Sequence, residues 1–223
     1  MYKKIIITLS ILMLSILACS FGNININANQ VIGSGNVITQ TRSVSGFNTV
    51  ELQGSADVSI TFGSTESLTI SADDNILPLI ETTVQNGRLV IANKGLTSYT
   101  TSHPVQIKIT AISLLGISLS GSGAINVADM AGTDLSVRLP GSGNITVTGT
   151  ANSINISLLG SGNIYCDGLK TADAVVALYG SGNISVYASQ SLDASIRGSG
   201  TITYAGNPPR LTTSVTGSGT IKP

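Results

Sequence analysis

Tryptophan is absent from this 223-residue chain, histidine occurs once, cysteine twice, and charged residues make up 10% of it. Each shortage excludes something. Two cysteines cannot build a disulfide framework. The one histidine, His103, sits in a Ser/Thr-rich loop before Pro104 with no nucleophile pattern nearby, so neither a His-based triad nor a metal site is expected. Lys and Arg total 11 against 11 Asp and Glu. No basic stripe exists for nucleic acid. Long apolar runs are scarce too: the one at Ile5 to Leu17 is shorter than a membrane span. Aromatics reach 4%, so any surface is mostly Ser, Thr, Asn and Gly. No cofactor is implied.

The apolar run follows Met1-Tyr2-Lys3-Lys4, a basic start, which together read as a secretory signal. It closes on Ile16-Leu17-Ala18-Cys19, which looks like the lipobox of bacterial lipoproteins. On this reading residues 1–18 are a lipoprotein signal, Cys19 carries the lipid, and the membrane is a partner through that anchor. The alternative is an ordinary signal cut there or nearer Ala28. Ser20 is not the Asp that retains lipoproteins at the inner membrane. An outer-membrane address is therefore expected in a Gram-negative cell, and a secreted or periplasmic one otherwise. Removing residues 1–18 leaves 9 basic and 11 acidic residues, formally −2. Residues 19–30 form an Asn-rich tether (Asn23, Asn25, Asn27, Asn29), and 31–223 is a single domain.

What the chain has in quantity is glycine, arranged with a period. Gly-Ser-Gly recurs with its glycines at Gly121 and Gly123, Gly141 and Gly143, Gly160 and Gly162, Gly180 and Gly182, Gly198 and Gly200, and Gly217 and Gly219. The steps are 20, 19, 20, 18 and 19 residues. Such a period marks one supersecondary unit stacked on copies of itself. Six, four and two residues before each tripeptide the row is apolar, as in Leu135/Val137/Leu139 and Ala174/Val176/Leu178. The first copy reads Leu115/Ile117/Leu119. Four and six residues after it come Ile145/Val147, Ile164/Cys166 and their equivalents. Period two means a half-buried strand, so each tripeptide is a corner between two strands, made possible by glycine's access to positive φ. Asn144, Asn163 and Asn183 follow their corners and predict a ladder of stacked amides.

The fold class expected is all-β, a single-stranded parallel β-helix with coils of about 20 residues. At that spacing the mature chain makes about ten coils and a rod of about 45–50 Å. A sandwich or barrel would need hairpins and does not explain the fixed step. Gly33-Ser34-Gly35-Asn36 reads as an early copy of the corner and Gly54-Ser55-Ala56-Asp57 as a degenerate one. The half before Leu115 is β but less regular, with Asp73-Asp74-Asn75 at a turn and a long loop from Lys94 to His103.

The order of these motifs carries a resemblance. Gly-Ser-Gly-Asn, Arg42-x-Val44-x-Gly46-Phe47-x-x-Val50, Asp57-Val58-x-Ile60, Asp73-Asp74-Asn75-Ile76, Asn86-Gly87-Arg88-Leu89-x-Ile91 and the serial corners resemble the putative auto-transporter adhesin, head GIN domain family. The match runs from about Val31 to Pro223. It departs at Ala56, Thr201 and Thr220. The resemblance implies a right-handed parallel β-helix on a secreted or lipid-anchored bacterial protein.

Chemistry is sparse. Strands follow every Gly-Ser-Gly, so no helix N-terminus faces a nucleotide phosphate, and no Asp row supports calcium-binding repeats. Cys166 occupies an inward slot filled elsewhere by valine and reads as a small hydrophobe. Asp134 and Asp173 share a row two coils apart, about 10 Å, too far for a supported glycosidase pair. An enzyme is not expected. The outward rows hold Leu159, Tyr165 and Tyr179, bordered by Arg138 and Arg197, a candidate binding patch. Three function classes stay open: a binding or adhesion module for a glycan or another envelope protein, a structural self-associating lipoprotein, and a polysaccharide-active enzyme. The last coil ends near Ile221-Lys222-Pro223 with thin cover, which predicts weak homo-association there or a cap folded back from Lys94 to His103.

Overall fold

The computed structural model describes residues 30–95 and 97–223. Cys19, the signal read over 1–18, and the tether apart from Gln30 lie outside them. From Leu115 onward the alternating rows do what period two demands. The chain winds into a parallel β-solenoid of about 5 turns, with coils about 20 residues apart.

Each coil contributes strands to two faces. The first face stacks Gly116–Leu119, Asp134–Leu139, the latter part of Asn144–Leu158, Leu169–Leu178, Ser191–Gly198 and Arg210–Gly217, every pair parallel and in register. The second stacks Ala124–Ala131, the start of Asn144–Leu158, Asn163–Cys166, Asn183–Tyr187, Thr201–Ala205 and Thr220–Lys222. Inward rows fill the lumen: Leu119, Leu139, Leu158, Leu178 and Ile196 are essentially solvent-free, as are Ile125, Ile145, Ile164, Ile184 and Ile202. Leu115 departs from its row and is exposed.

The corners stack as expected, for a different reason. Positive φ is found at Gly198 and Gly217, the first glycines of the last two corners; Gly182, Gly200, Gly219 and the other corner glycines lack it. What demands glycine is closeness to the coil beneath. A Cβ on Gly141 would lie 2.2 Å from the Gly121 carbonyl oxygen, and one on Gly162 would lie 2.1 Å from that of Gly143. The same holds further along the stack. A Cβ on Gly182 would lie 1.9 Å from the Gly162 carbonyl oxygen, and one on Gly200 would lie 2.1 Å from that of Gly182. At Gly219 the crowding eases, with Ile196 Cγ2 at 2.6 Å and the Gly200 carbonyl oxygen at 2.8 Å. The backbone uses this closeness, since Ser142 and Gly143 both donate N–H to the Gly121 carbonyl, at 3.0 and 3.1 Å. The amide ladder forms too. Asn183 Nδ2 donates to Asn163 Oδ1, and Asn163 Nδ2 to Asn144 Oδ1, each at 2.9 Å.

The stack begins earlier in sequence than Leu115. Thr49–Gln53 and Asp57–Phe62 form a coil directly beneath Gly116–Leu119 and Ala124–Ala131. Their corner, Gly54-Ser55-Ala56, underlies Gly121-Ser122-Gly123: a Cβ on Gly121 would lie 1.7 Å from the Gly54 carbonyl oxygen. From Gly54 to Gly217 there are thus seven stacked corners, spanning about 29 Å at roughly 4.8 Å per step. This corrects the expected ten coils.

The missing coils are a cap. After Phe62 the chain leaves the solenoid. Ser67–Asp73 pairs antiparallel with both Val37–Arg42 and Gln106–Ala111, and Gln106–Ala111 runs parallel beneath Asp57–Phe62. On the other face Ile80–Gln85 and Arg88–Asn93 form a hairpin under Thr49–Gln53, turned by Asn86 (φ 50°) and Gly87 (φ 75°) as a two-residue hairpin requires. Arg42 joins the faces, donating from Nη1 to the Ile80 carbonyl at 2.5 Å and from Nη2 to the Leu77 carbonyl at 3.1 Å. Glu66 accepts the N–H groups of Gly46 and Phe47 at 2.6 and 3.1 Å.

Two expectations fall here. Gly33-Ser34-Gly35-Asn36 is no corner of the stack. It is a turn with Gly35 at φ 82°, docked on Asp74 through Ser34 Oγ (2.5 Å) and Asn36 Nδ2 (2.9 Å). The segment Lys94 to His103 holds a strand, Ser98–Thr100, paired in parallel with Gln30–Ile32, and it lies at the capped end. It does not cover the last coil.

Candidate functional site

The five patch residues are all exposed. Leu159 and Tyr179 stand one coil apart on the row just before the corner, 41% and 49% exposed. The Arg197 guanidinium lies 6.0 Å from the centre of the Tyr179 ring, within cation–π range. Tyr165, 44% exposed, is past the corner on the second face, in register with Thr146 and Ser185. Arg138 belongs to the first face, in register with Ser118 and Ser157. The corner lies between Tyr165 and the other four.

Arg138 instead borders a groove of about 570 Å³ on the first face, where capped end meets solenoid. Its floor is Gly116, in register with Thr49 on one side and Ser136 on the other. Gly116 lacks the side chain its row neighbours carry and is itself buried, with Thr49 Cγ2 3.2 Å from where a Cβ would lie. On its lower wall Glu51 accepts from Arg88 Nη1 at 3.1 Å and from Gln53 Nε2 at 2.6 Å. Leu115 and Pro140 supply apolar edges. Sequence reasoning missed this site. Its walls come from segments over sixty residues apart, and its defining feature is an absent side chain; the exposed break at Leu115 is the one local hint.

A second polar cluster lies at the capped end. Asp73 is buried and accepts from Thr101 Oγ1 at 2.7 Å, with His103 Nδ1 at 3.3 Å. The Thr101 hydrogen bond, helped by the Gly35 N–H and by His103, holds its carboxyl below the usual range despite burial. Asp74 is likewise held low by Ser34 and Asn36. These bonds tie three loops together, and Ser102 Oγ lies 3.5 Å from His103 Nδ1.

The remaining candidates are structural. Burial, aided by the neighbouring Asp167 charge, pushes the Cys166 thiol up to about 12, so no thiolate forms at neutral pH. Asp134 accepts from Ser153 Oγ at 2.6 Å. Asp173 pairs with Ser191 and has Arg210 Nη2 at 3.8 Å. The row Asp134, Ser153, Asp173, Ser191, Arg210 is therefore a polar ladder, with a serine between its carboxylates.

These features define a capped parallel β-solenoid with an open polar groove. The family described as putative auto-transporter adhesin, head GIN domain, matches residues 46–208, and the chain belongs to it. Among solved structures, a putative adhesin from Bacteroides fragilis is 27% identical, with a TM-score of 0.72 over 86% of this chain and 99% of that one. A putative lipid binding protein from Parabacteroides distasonis is 28% identical, with a TM-score of 0.53 over 86% and 98%. A putative adhesin from Parabacteroides merdae, 20% identical with a TM-score of 0.52 over 86% and 98%, shares the fold. A search of curated proteins finds no match. The family points to a cell-surface or envelope protein.

Proposed function

We propose that this protein is a non-catalytic binding module of the bacterial envelope, held to the membrane by a lipid on Cys19, with the groove over Gly116 as its ligand site. The groove is the observation that carries the reading: a concave, polar surface on rigid strands, of a size that suits a ligand. The lumen is lined by buried side chains, Leu119, Leu139, Leu158 and Leu178 among them. The carboxylates that a polysaccharide hydrolase would need are separated and engaged with serines. A glycan array run beside a reducing-sugar release assay tests the reading. Binding without turnover is expected, and turnover would overturn it.

A second reading, self-association, is favoured by the exposed strand Arg210–Gly217. Leu211 and Val215, which belong to lumen rows, are 45% and 46% exposed. All eight residues of Arg210–Gly217 are exposed, a free edge of the kind that pairs with other chains. Sedimentation across a concentration series decides it, with a strictly monomeric species counting against it.

A further inference from the structure

We propose that the groove over Gly116 takes a carboxylate-bearing sugar unit of an acidic polysaccharide. The inference rests on the reading of the chain as a binding module and names its ligand class. Three features of the groove select it.

The first is charge. Arg88 and Arg138 border the groove against one carboxylate, Glu51. Glu51 is already engaged, and its side chain is 16% exposed against 57% for Arg88. Arg88 commits one nitrogen, Nη1, to that pair. Arg138 makes no hydrogen bond or ion pair among the described residues. An incoming anion therefore meets a free guanidinium, and guanidinium binds carboxylates through two parallel hydrogen bonds.

The second is the lining between the cations. Thr49, Ser118, Ser120 and Ser136 bring four hydroxyls to the groove, each able to donate and accept. A bare inorganic anion would leave most of them to water, whereas a polyhydroxylated ring engages them. Leu115, 47% exposed, and Pro140 give the ring's C–H face an apolar surface.

The third is shape. The groove is open to solvent, and buried Gly116 lies beneath it between Thr49 and Ser136. A Cβ there would already lie 3.2 Å from Thr49 Cγ2, so anything larger fills the floor. An open trough admits one unit of a long chain, with the polymer continuing to either side.

Titration calorimetry on the mature chain with tetragalacturonic acid tests this, with the neutral galactose tetrasaccharide and inorganic phosphate as separate arms. The uronate should bind about tenfold or more tightly than either control. Arg138→Gln should lose about tenfold, Arg138→Lys should recover part of it, and Gly116→Leu should abolish binding. Unchanged melting temperature of Arg138→Gln shows that the fold is intact. Equal binding of the neutral sugar, equal binding of phosphate, indifference to Arg138→Gln, or no uronate binding would each overturn the inference. If the glycan array still shows binding that Arg138→Gln leaves intact, the groove fails and the module reading stands. If the array shows none, both fail.

Discussion

The two ends of this molecule are built from the same strands and finished differently. At one end the chain breaks its own repeat. It turns Ser67–Asp73 antiparallel, folds a hairpin at Asn86-Gly87, and locks the two faces with Arg42. Leu68, Ile70, Leu89 and Ile107 there are solvent-free, while Val37 and Ile38 on the outermost strand are 46% and 41% exposed. At the other end Leu211 and Val215 face water from positions that are buried in the coils below. The difference teaches that the repeat specifies how coils add but not how a stack ends. An end needs a sequence that departs from the repeat, and about 70 residues of irregular chain supply one here.

The sharpest way to break this comparison is one substitution on one row. Leu178 and Val215 occupy equivalent positions, the first 1% and the second 46% exposed. Leu178→Asp buries an unpaired carboxylate, a loss of several kcal/mol, comparable with a domain's whole stability. Val215→Asp should shift the thermal midpoint little. If the two variants melt together, the last coil is covered in solution.

Next in size is the lock. Arg42→Met keeps the stem but removes the charge-assisted bonds to Ile80 and Leu77, which should cost about 1.5–3 kcal/mol. Denaturant unfolding measures it, and no loss would mean the capped end holds without Arg42.

Gly162→Ala pushes a methyl against the Gly143 carbonyl and should cost about 1–3 kcal/mol. Gly95→Ala, with nothing within 4 Å of the added atom but φ at +58°, should cost about 1–2 kcal/mol from the left-handed backbone alone. No loss at Gly162→Ala would show that closeness does not select glycine in the stack.

The smallest effect separates the ends by pH. Asp73 titrates below its unfolded value of about 3.9. Its contribution is therefore present above about pH 4 and is lost as pH falls through the lower folded value. The stability gap between wild type and Asp73→Asn should be constant near neutrality and shrink in acid. A gap that ignores pH would remove Asp73 from the account.

Much of the regular half was legible in the sequence. Rows such as Leu139/Leu158/Leu178 and the ladder Asn144/Asn163/Asn183 repeat often enough that one register satisfies all of them. The cap was not legible, because Thr49–Gln53 lies between Arg88–Asn93 and Gly116–Leu119, and no local pattern announces partners so far apart. Gly33-Ser34-Gly35-Asn36 misled because the tetrapeptide serves equally as a positive-φ turn. The corner glycines were placed correctly and explained wrongly: what Gly182 and Gly200 need is room beside a carbonyl, which only the stacked coil beneath reveals. The groove escaped because a glycine at position 116 reads as nothing until Thr49 and Ser136 flank it.

Residue-resolved hydrogen exchange probes directly whether the apolar rows are covered around Ser67–Asp73 and exposed at Arg210–Gly217. Amide protection tracks the free energy of local opening. Protection should be high at Leu68 to Ala72 and through the middle coils, then fall across Ser191–Gly198 to its lowest value in Arg210–Gly217. Equal protection at the two ends, or a minimum at Ser67–Asp73, would contradict that difference.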